Sequence, residues 1–421
     1  INYYPLQTAG WHGSLGVCRF LKEWGFTLQD VCENDCLALT MAAQNGDVPT
    51  FMFIRDWKDS NLEGLTPAQI QRATQLAIPL ACERGKLDMC KLIRFESNAN
   101  LNREMPNQSF RAAAVNGHVD VLKFLKEWMS SKRHTIYRPD PITIKLVAKN
   151  GHVEVLKLFK EQYGLCLDDV RVEQTKILRV AAKHGHENIL QFLKERFPLT
   201  KEDICARQNY ALRKAAKNGH LNVLKFLKQE LDKNDLHAKE NYAFRKAAKN
   251  GHLEILNFLW NWGHHSMGAR NSYVVRAAVE HGHLHVIRFL KKHGLTRENV
   301  RDLKNYALGR ALSNGNLEIC QFLKDEFQLT LGDARQVMWT SNALRDIAVN
   351  GHFHVMLWWK NWNNRRAKPE VCQNNKLEVY QEAAGKALVS AAMLGHLKIC
   401  QLLKDWVAMD NASGILEAGR E

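Results

Sequence analysis

The sequence predicts an all-α chain built from one repeated helical hairpin, and three observations carry that prediction. The first is the stretch from Asn209 to Glu230, NYALRKAAKNGHLNVLKFLKQE. Its residues Leu212, Ala215 and Ala216, then Leu221, Val223, Leu224, Phe226 and Leu227, fall at helical spacing in two short blocks. The second is the break between the blocks, Asn218-Gly219-His220. Glycine suits the left-handed position that ends one helix before an antiparallel one begins. The third is recurrence. Equivalent glycines stand at Gly13, Gly46, Gly85, Gly117, Gly151, Gly185, Gly219, Gly251, Gly282, Gly315, Gly351 and Gly395, twelve anchors in all. From Gly85 to Gly315 consecutive anchors lie 31–34 residues apart, and the longer separations fall towards the ends. Helices this short are marginal alone, so each must bury its apolar face against a neighbour, and a period near ~33 residues marks a helical solenoid of about twelve helix-turn-helix units.

Taken in order, the first unit has a short first helix from about Pro5 and a second helix through Trp24. In the long gap between Gly46 and Gly85, Thr66-Pro67 marks a helix start with proline at the first position, so an extra short helix is expected there. Pro79 falls where a helix interior belongs and predicts a shortened first helix for the third unit. From Phe110 to Phe327 the units are close to regular. Ser130 to Pro141 reads as an exposed loop and Asn363 to Pro369 as a basic loop. Lys376 to Met393 reads as an extended first helix and Asn411 to Glu421 as a frayed polar tail. The expected organisation is a single repeat domain over residues 1–408, irregular at 1–105 and 350–408, with a polar tail at 409–421.

The repeat resembles the ankyrin repeat. The matched positions are Leu212, Ala215, Ala216, Gly219, His220, Val223 and Leu227, with Ala247-Ala248, Gly251-His252, Ile255 and Leu259, or Ala181-Ala182, Gly185-His186, Ile189 and Leu193, in other units. It departs from that family at Tyr210-Ala211, where Thr-Pro is usual, and at Arg213, where the first histidine is usual; Pro5-Leu6-Gln7 alone keeps the proline. The hairpin turn between units is also largely replaced. Segments such as Leu199 to Asp203, Leu295 to Glu298 and Phe26 to Asp30 place a threonine ahead of an acidic residue, the pattern of a helix N-cap or capping box. Most β-fingers are therefore expected to give way to helical turns. This divergent style is similar to the ankyrin proteins that large DNA viruses of amoebae and some intracellular bacteria carry in many copies.

Lysine and arginine number 59 against 44 acidic residues, a net charge of +15 that favours an acidic partner, whether protein, nucleic acid or anionic lipid. No apolar run approaches the ~18 residues that cross a bilayer, and no signal-like leader opens the chain. A soluble, intracellular protein is expected, cytoplasmic or, in the setting of the resembling proteins, in a host cytoplasm or nucleus. The sequence starts at Ile1 rather than methionine, which leaves room for a segment ahead of it. Cys18, Cys90, Cys320 and Cys400 stand five residues after an anchor, where other units place leucine, and are read as core fillers in a reducing compartment. Cys32 and Cys36 form a lone pair read as structural.

Three columns repeat along the chain. Histidine follows the anchor at His118, His152, His186, His220, His252, His283, His352 and His396. The resemblance implies that these rings bond backbone groups in the helix-helix loop rather than a metal. Asp120, Glu154, Asn222, Glu254 and Glu318 fall in the first turn of the second helix, where they complement its positive end. Tryptophan stands eleven residues after the anchor at Trp24, Trp57, Trp128, Trp262, Trp362 and Trp406, read as a seal on the end of the second helix.

The third column is basic and supplies the candidate partner-binding residues. Six positions before the anchor stand Arg111, Lys145, Arg179, Arg213, Arg245, Arg276 and Arg345; two positions before it stand Lys149, Lys183, Lys217 and Lys249. Residues four apart share a helical face, so stacked first helices would line these cations into a ribbon. In the resembling family that side is concave and holds partners. Second-helix lysines such as Lys123, Lys126, Lys157, Lys160, Lys225 and Lys228 are read as a solvated face.

No phosphate-binding loop, dinucleotide glycine pattern, zinc-protease motif or nucleophile elbow occurs, so no catalytic residue, metal ligand or cofactor is expected. The leading expectation is a noncatalytic scaffold holding an acidic protein partner. Nucleic-acid binding through the ribbon is the alternative, opposed by the lack of exposed aromatics interleaved for base stacking. A structural part in a larger assembly is the third reading, with oligomeric state open.

Overall fold

The computed structural model describes residues 5–59, 64–96, 105–130, 138–263, 271–340, 342–364 and 375–408. Among the described residues the fold is all-α: 25 α-helices, one 3-10 turn at Lys233–His237, and an isolated antiparallel bridge between Lys58 and Gly64. The chain forms two compact bodies. One comprises Ile1–Ala211 with Lys225–Glu230, and the other Leu212–Leu224 with Leu231–Glu421. In the first body, hairpins such as Pro141–Asn150 with Val153–Gln162 and Leu167–His184 with Glu187–Arg196 stack in chain order. The second body stacks Ala238–Lys249 with Leu253–Trp262, Arg297–Ser313 with Leu317–Glu326, and onward to Asn375–Met393 with Leu397–Ala408. This is the ankyrin-like helical repeat architecture that the sequence predicts.

Each hairpin buries the same positions. Ala181, Ala182, Ile189, Leu190 and Leu193 are inaccessible to solvent, as are Ala247, Ala248 and Leu256 one body further on. The alanine pair lets neighbouring helices approach closely, and the second-helix leucines and isoleucines fill the space between repeats. All twelve anchor glycines have positive φ, from 64° at Gly13 to 88° at Gly219. Cys18, Cys90 and Cys320 are buried in the core, Cys400 is half-buried, and all nine described cysteines are free thiols. Burial pushes the Cys18 thiol up to about 11, well away from the reactive range.

The connections are helical, as the threonine-acid segments predict. Thr200 N–H donates to Asp203 Oδ2 at 3.0 Å, and Asp203 N–H returns to Thr200 Oγ1 at 3.3 Å, a reciprocal capping box at the start of the helix Lys201–Asn218. Thr27 with Asp30 and Thr330 with Asp333 repeat the arrangement. At Thr296 the partner is Asn299, one residue beyond the expected Glu298.

Five of the caps, at Thr27, Cys166, Thr200, Asp232 and Thr296, open a short helical turn that is then reversed by three consecutive left-handed residues. They are Asn34-Asp35-Cys36, Glu173-Gln174-Thr175, Arg207-Gln208-Asn209, Lys239-Glu240-Asn241 and Leu303-Lys304-Asn305. Non-glycine residues enter this region at a cost of about 1–2 kcal/mol each, so the turn has to be held from outside. Thr175 Oγ1 does so by donating to the Asp203 carbonyl of the next capping box at 2.7 Å.

Two expectations fail near the third repeat. The Thr66-Pro67 start does not open a separate short helix, and Pro79 does not shorten the next one: Pro67–Glu83 is one continuous helix with Pro79 inside. Burial of Ala73, Ala77, Ile78, Ala81 and Cys82 along one face outweighs the backbone bond that proline forfeits. The extended helix before the last anchor is present at Asn375–Met393. Most of the Ser130–Pro141 loop, the greater part of the basic loop from Asn363 to Pro369, and the polar tail lie outside the described residues.

Candidate partner-binding surface

The first-helix face of the repeats is built from three interlocking columns. Within each body, histidines tie several repeats to the one before. His118 Nε2 bonds the Glu83 carbonyl at 2.8 Å, His186 the Lys149 carbonyl at 2.8 Å, His283 the Lys249 carbonyl at 3.0 Å and His396 the Val349 carbonyl at 3.0 Å. In every case the acceptor lies two residues before the preceding anchor. Asparagines just ahead of the anchor add a parallel bond, Asn150 Nδ2 to the Val115 carbonyl at 2.8 Å and Asn314 Nδ2 to the Glu280 carbonyl at 2.8 Å. The ring rests on the earlier glycine: a Cβ on Gly117 would lie 2.6 Å from His152 Nδ1. Burial holds His152, His283 and His352 below the usual imidazole value, against the opposing pull of their carbonyl bonds. These histidines are joints between repeats, as the resemblance implies.

The basic column divides by burial, from two enclosed arginines to cations that are half-buried or exposed. Arg179 and Arg213 are only 5% and 6% exposed. Arg179 donates from Nε to the Gln174 carbonyl at 3.0 Å and from Nη2 to the Glu173 carbonyl at 2.7 Å. Arg245 does the same to Glu240 and Lys239 at 2.8 and 3.0 Å. Both therefore hold the carbonyls of the left-handed turn that starts their own helix. Arg276 is half-buried, while Arg111 and Arg345 are exposed. Of the remaining cations, Lys149 and Lys183 are exposed and Lys145, Lys217 and Lys249 are half-buried.

A tyrosine column, nine residues before the anchor, completes the arrangement. Arg179 lies 5.2 Å from the Tyr210 ring centre in the first body. In the second body Arg213 lies 5.1 Å from Tyr242, Arg245 5.1 Å from Tyr273 and Arg276 5.5 Å from Tyr306. All four arginines lie against the ring of the next repeat, and Arg179 and Arg245 at the same time bond the turn of their own. Aromatic rings do interleave with the ribbon, but Tyr210, Tyr242 and Tyr273 are half-buried and only Tyr306 departs from the expectation that exposed aromatics are lacking there. The signal was present in the recurring Asn-Tyr at 209–210, 241–242 and 305–306. At the last anchor the equivalent first-helix positions turn apolar, and Val389 and Met393 are exposed there.

A second relationship that the sequence did not disclose joins the capping boxes. Arg138 Nη2 lies 2.9 Å from Asp169 Oδ2, Arg171 Nη2 2.8 Å from Asp203 Oδ2, and Arg301 Nη2 2.6 Å from Asp333 Oδ2. The arginine comes from the repeat before the cap in each case. On the other face, the tryptophan seal holds at Trp57, Trp128 and Trp262, which are buried, and fails at Trp24, which is open to solvent. The reading of second-helix lysines as a solvated face is corrected for Lys126, which is half-buried 5.7 Å from the Tyr163 ring centre; Lys160 is exposed and also lies 4.8 Å from the ring centre of Phe197.

Among the described residues no group of three or more His, Cys, Asp and Glu side chains could hold a metal ion, and no helix is long and apolar enough to cross a membrane. A family model described as ankyrin repeats (3 copies) matches residues 144–240 and 244–333, the stretch in which the histidine, arginine and tyrosine columns are most regular. No curated protein matches the chain. The glycine anchors, the alanine pairs and the histidine joints carry the same pattern through the neighbouring hairpins, and the stretch from 144 to 333 is built of ankyrin repeats.

Proposed function

We propose that this chain is a noncatalytic interaction scaffold that holds an acidic protein partner against the first-helix face of its repeats. Ankyrin repeats generally mediate protein–protein interaction. The observation that carries the acidic partner is the lysine column two residues before the anchor, exposed at Lys149 and Lys183 and half-buried at Lys217 and Lys249. Lys149 and Lys183 stand exposed on successive first helices of one body, and Lys217 and Lys249 occupy the same register in the other. The arginines beside them are held in the joints, so the docking set consists of these four lysines with Lys145, Arg111 and Arg345. Arg179, Arg213, Arg245 and Arg276 supply a fixed positive background. Preorganised cations of this kind select a complementary partner and speed its encounter.

Nucleic acid is the second reading, favoured by the tyrosines set beside the arginines and opposed by the guanidinium that already covers one face of each ring. The test compares the chain with a variant carrying Lys149→Glu, Lys183→Glu, Lys217→Glu and Lys249→Glu. Capture of acidic proteins from a cell lysate should be lost in the variant, with helical content unchanged. Anisotropy with labelled single- and double-stranded oligonucleotides should show binding only at low salt. Oligonucleotide binding that survives near-physiological salt and disappears in the variant would move nucleic acid to first place; protein capture that the four reversals leave intact would remove the lysine column from the site.

A further inference from the structure

Within each body, the second helix of one repeat sets a cation over the rings of the next. The donor is the ninth residue after the anchor and the acceptors are the seventh and eleventh residues after the following anchor. Lys22 lies 5.6 and 5.0 Å from the ring centres of Phe53 and Trp57, and Arg94 lies 5.7 and 6.0 Å from Phe124 and Trp128. In the second body Lys324 lies 6.0 and 5.4 Å from Trp358 and Trp362. Where the ring has moved to the twelfth position the donor still reaches it, as in Lys291 with Phe327 at 5.6 Å.

The repeat anchored at Gly13 carries the same acceptor pair. Phe20 and Trp24 have ring centres 5.9 Å apart, against 5.6 Å for Phe53 and Trp57 and 5.7 Å for Phe124 and Trp128. Among the described residues no cation lies over either ring. Phe20 and Trp24 are 58% and 70% exposed, where Trp57 and Trp128 are 0% and 5%. Val17 extends the bare stripe along the helix Leu15–Glu23. The repeat anchored at Gly395 carries the matching donor: Lys404 is the ninth residue after the glycine and is exposed on the helix Leu397–Ala408.

We propose that Lys404 of one copy of this chain docks over Phe20 and Trp24 of a second copy, so that the repeat-to-repeat contact made inside the chain continues between molecules. The two surfaces are different, so the contact is heterologous, and each added copy presents a fresh acceptor or donor. The two large aromatic rings supply the apolar area, and the ammonium fixes the register by its attraction to their faces.

The test is light scattering after size exclusion across a concentration series of the full chain, with Trp24→Glu and Lys404→Glu variants whose helical content is checked by circular dichroism. Lys404 is an exposed side chain, so its reversal leaves the fold intact. The unaltered chain should gain mass steadily with concentration and pass beyond the dimer. Each variant alone should stay monomeric. An equimolar mixture of the two retains one good donor and one good acceptor, and should double in mass and stop there. A monomeric unaltered chain at every concentration overturns the proposal, and so does a Lys404→Glu chain that associates as well as the original.

Discussion

The guanidinium of Arg179 sits 5.2 Å from the centre of the Tyr210 ring while its Nε and Nη2 donate to the carbonyls of Gln174 and Glu173. One side chain thereby holds the left-handed turn of its own repeat and packs on the next. Lysine has the charge without the planar fork, so Arg179→Lys abandons at least one carbonyl bond and the stacked contact. The expected loss is about 1–3 kcal/mol, read as a lower urea midpoint. Arg345 is exposed in the equivalent position, and Arg345→Lys should stay within about 0.5 kcal/mol. Equal effects at the two sites would deny Arg179 its place in the joint.

The repeat itself was legible because it rests on local rules: the anchor glycine demands positive φ, and the alanine pairs and leucines recur at helical spacing. The capping boxes were legible for the same reason, since Thr200 and Asp203 are three residues apart. What escaped was contact between residues one period away. Arg171 and Asp203 stand 32 residues apart, and Lys160 and Phe197 further still, so no window of helical length contains both partners. The arginines were assigned to the surface because sequence gives their helical face but not the left-handed turn that curls back to meet them. Pro79 misled in the opposite direction, since a local penalty at one residue was set against burial along the whole helix Pro67–Glu83.

Gly117 joins two demands at one residue. Its φ is 84°, and a Cβ there would lie 2.6 Å from His152 Nδ1. Gly117→Ala should therefore combine the left-handed penalty of about 1–2 kcal/mol with displacement of the His152 ring. Gly25 also has positive φ, at 106°, yet nothing lies within 4 Å of its Cβ position, so Gly25→Ala should show the backbone penalty alone. Thermal unfolding of the two variants should separate them, with Gly117→Ala melting lower; matching midpoints would mean that the histidine contact adds nothing.

The histidine joints also set a pH dependence. Burial lowers His152, His283 and His352 in the folded chain, so between the ordinary value of 6.5 and the lowered one the unfolded chain binds more protons. Stability is then fully present above about pH 6.5 and declines as pH falls through the folded value. Denaturant midpoints measured at pH 7.5 and at about pH 5.5, above the carboxylate range, should show the acidic sample less stable. His152→Asn should flatten that difference; an unchanged slope would place the pH sensitivity elsewhere.

Asp333 concentrates the capping chemistry of the second body. Its Oδ2 accepts the Thr330 N–H at 2.8 Å, the Thr330 hydroxyl at 2.9 Å and Arg301 Nη2 at 2.6 Å. Burial alone would raise this carboxyl, yet the Arg301 and Thr330 bonds hold it down at about 2. A depressed carboxyl contributes stability above its ordinary value of 3.8 and loses it as pH falls towards the folded value. Asp333→Asn keeps the shape and one acceptor but removes the charge, leaving Arg301 and Arg297 without a counter-ion at this oxygen. At neutral pH the expected cost is on the order of 2 kcal/mol. Because asparagine does not titrate, the gap between the two proteins should close between about pH 4 and pH 2, and a gap of constant size would show that the charge at Asp333 is not what holds this capping box together.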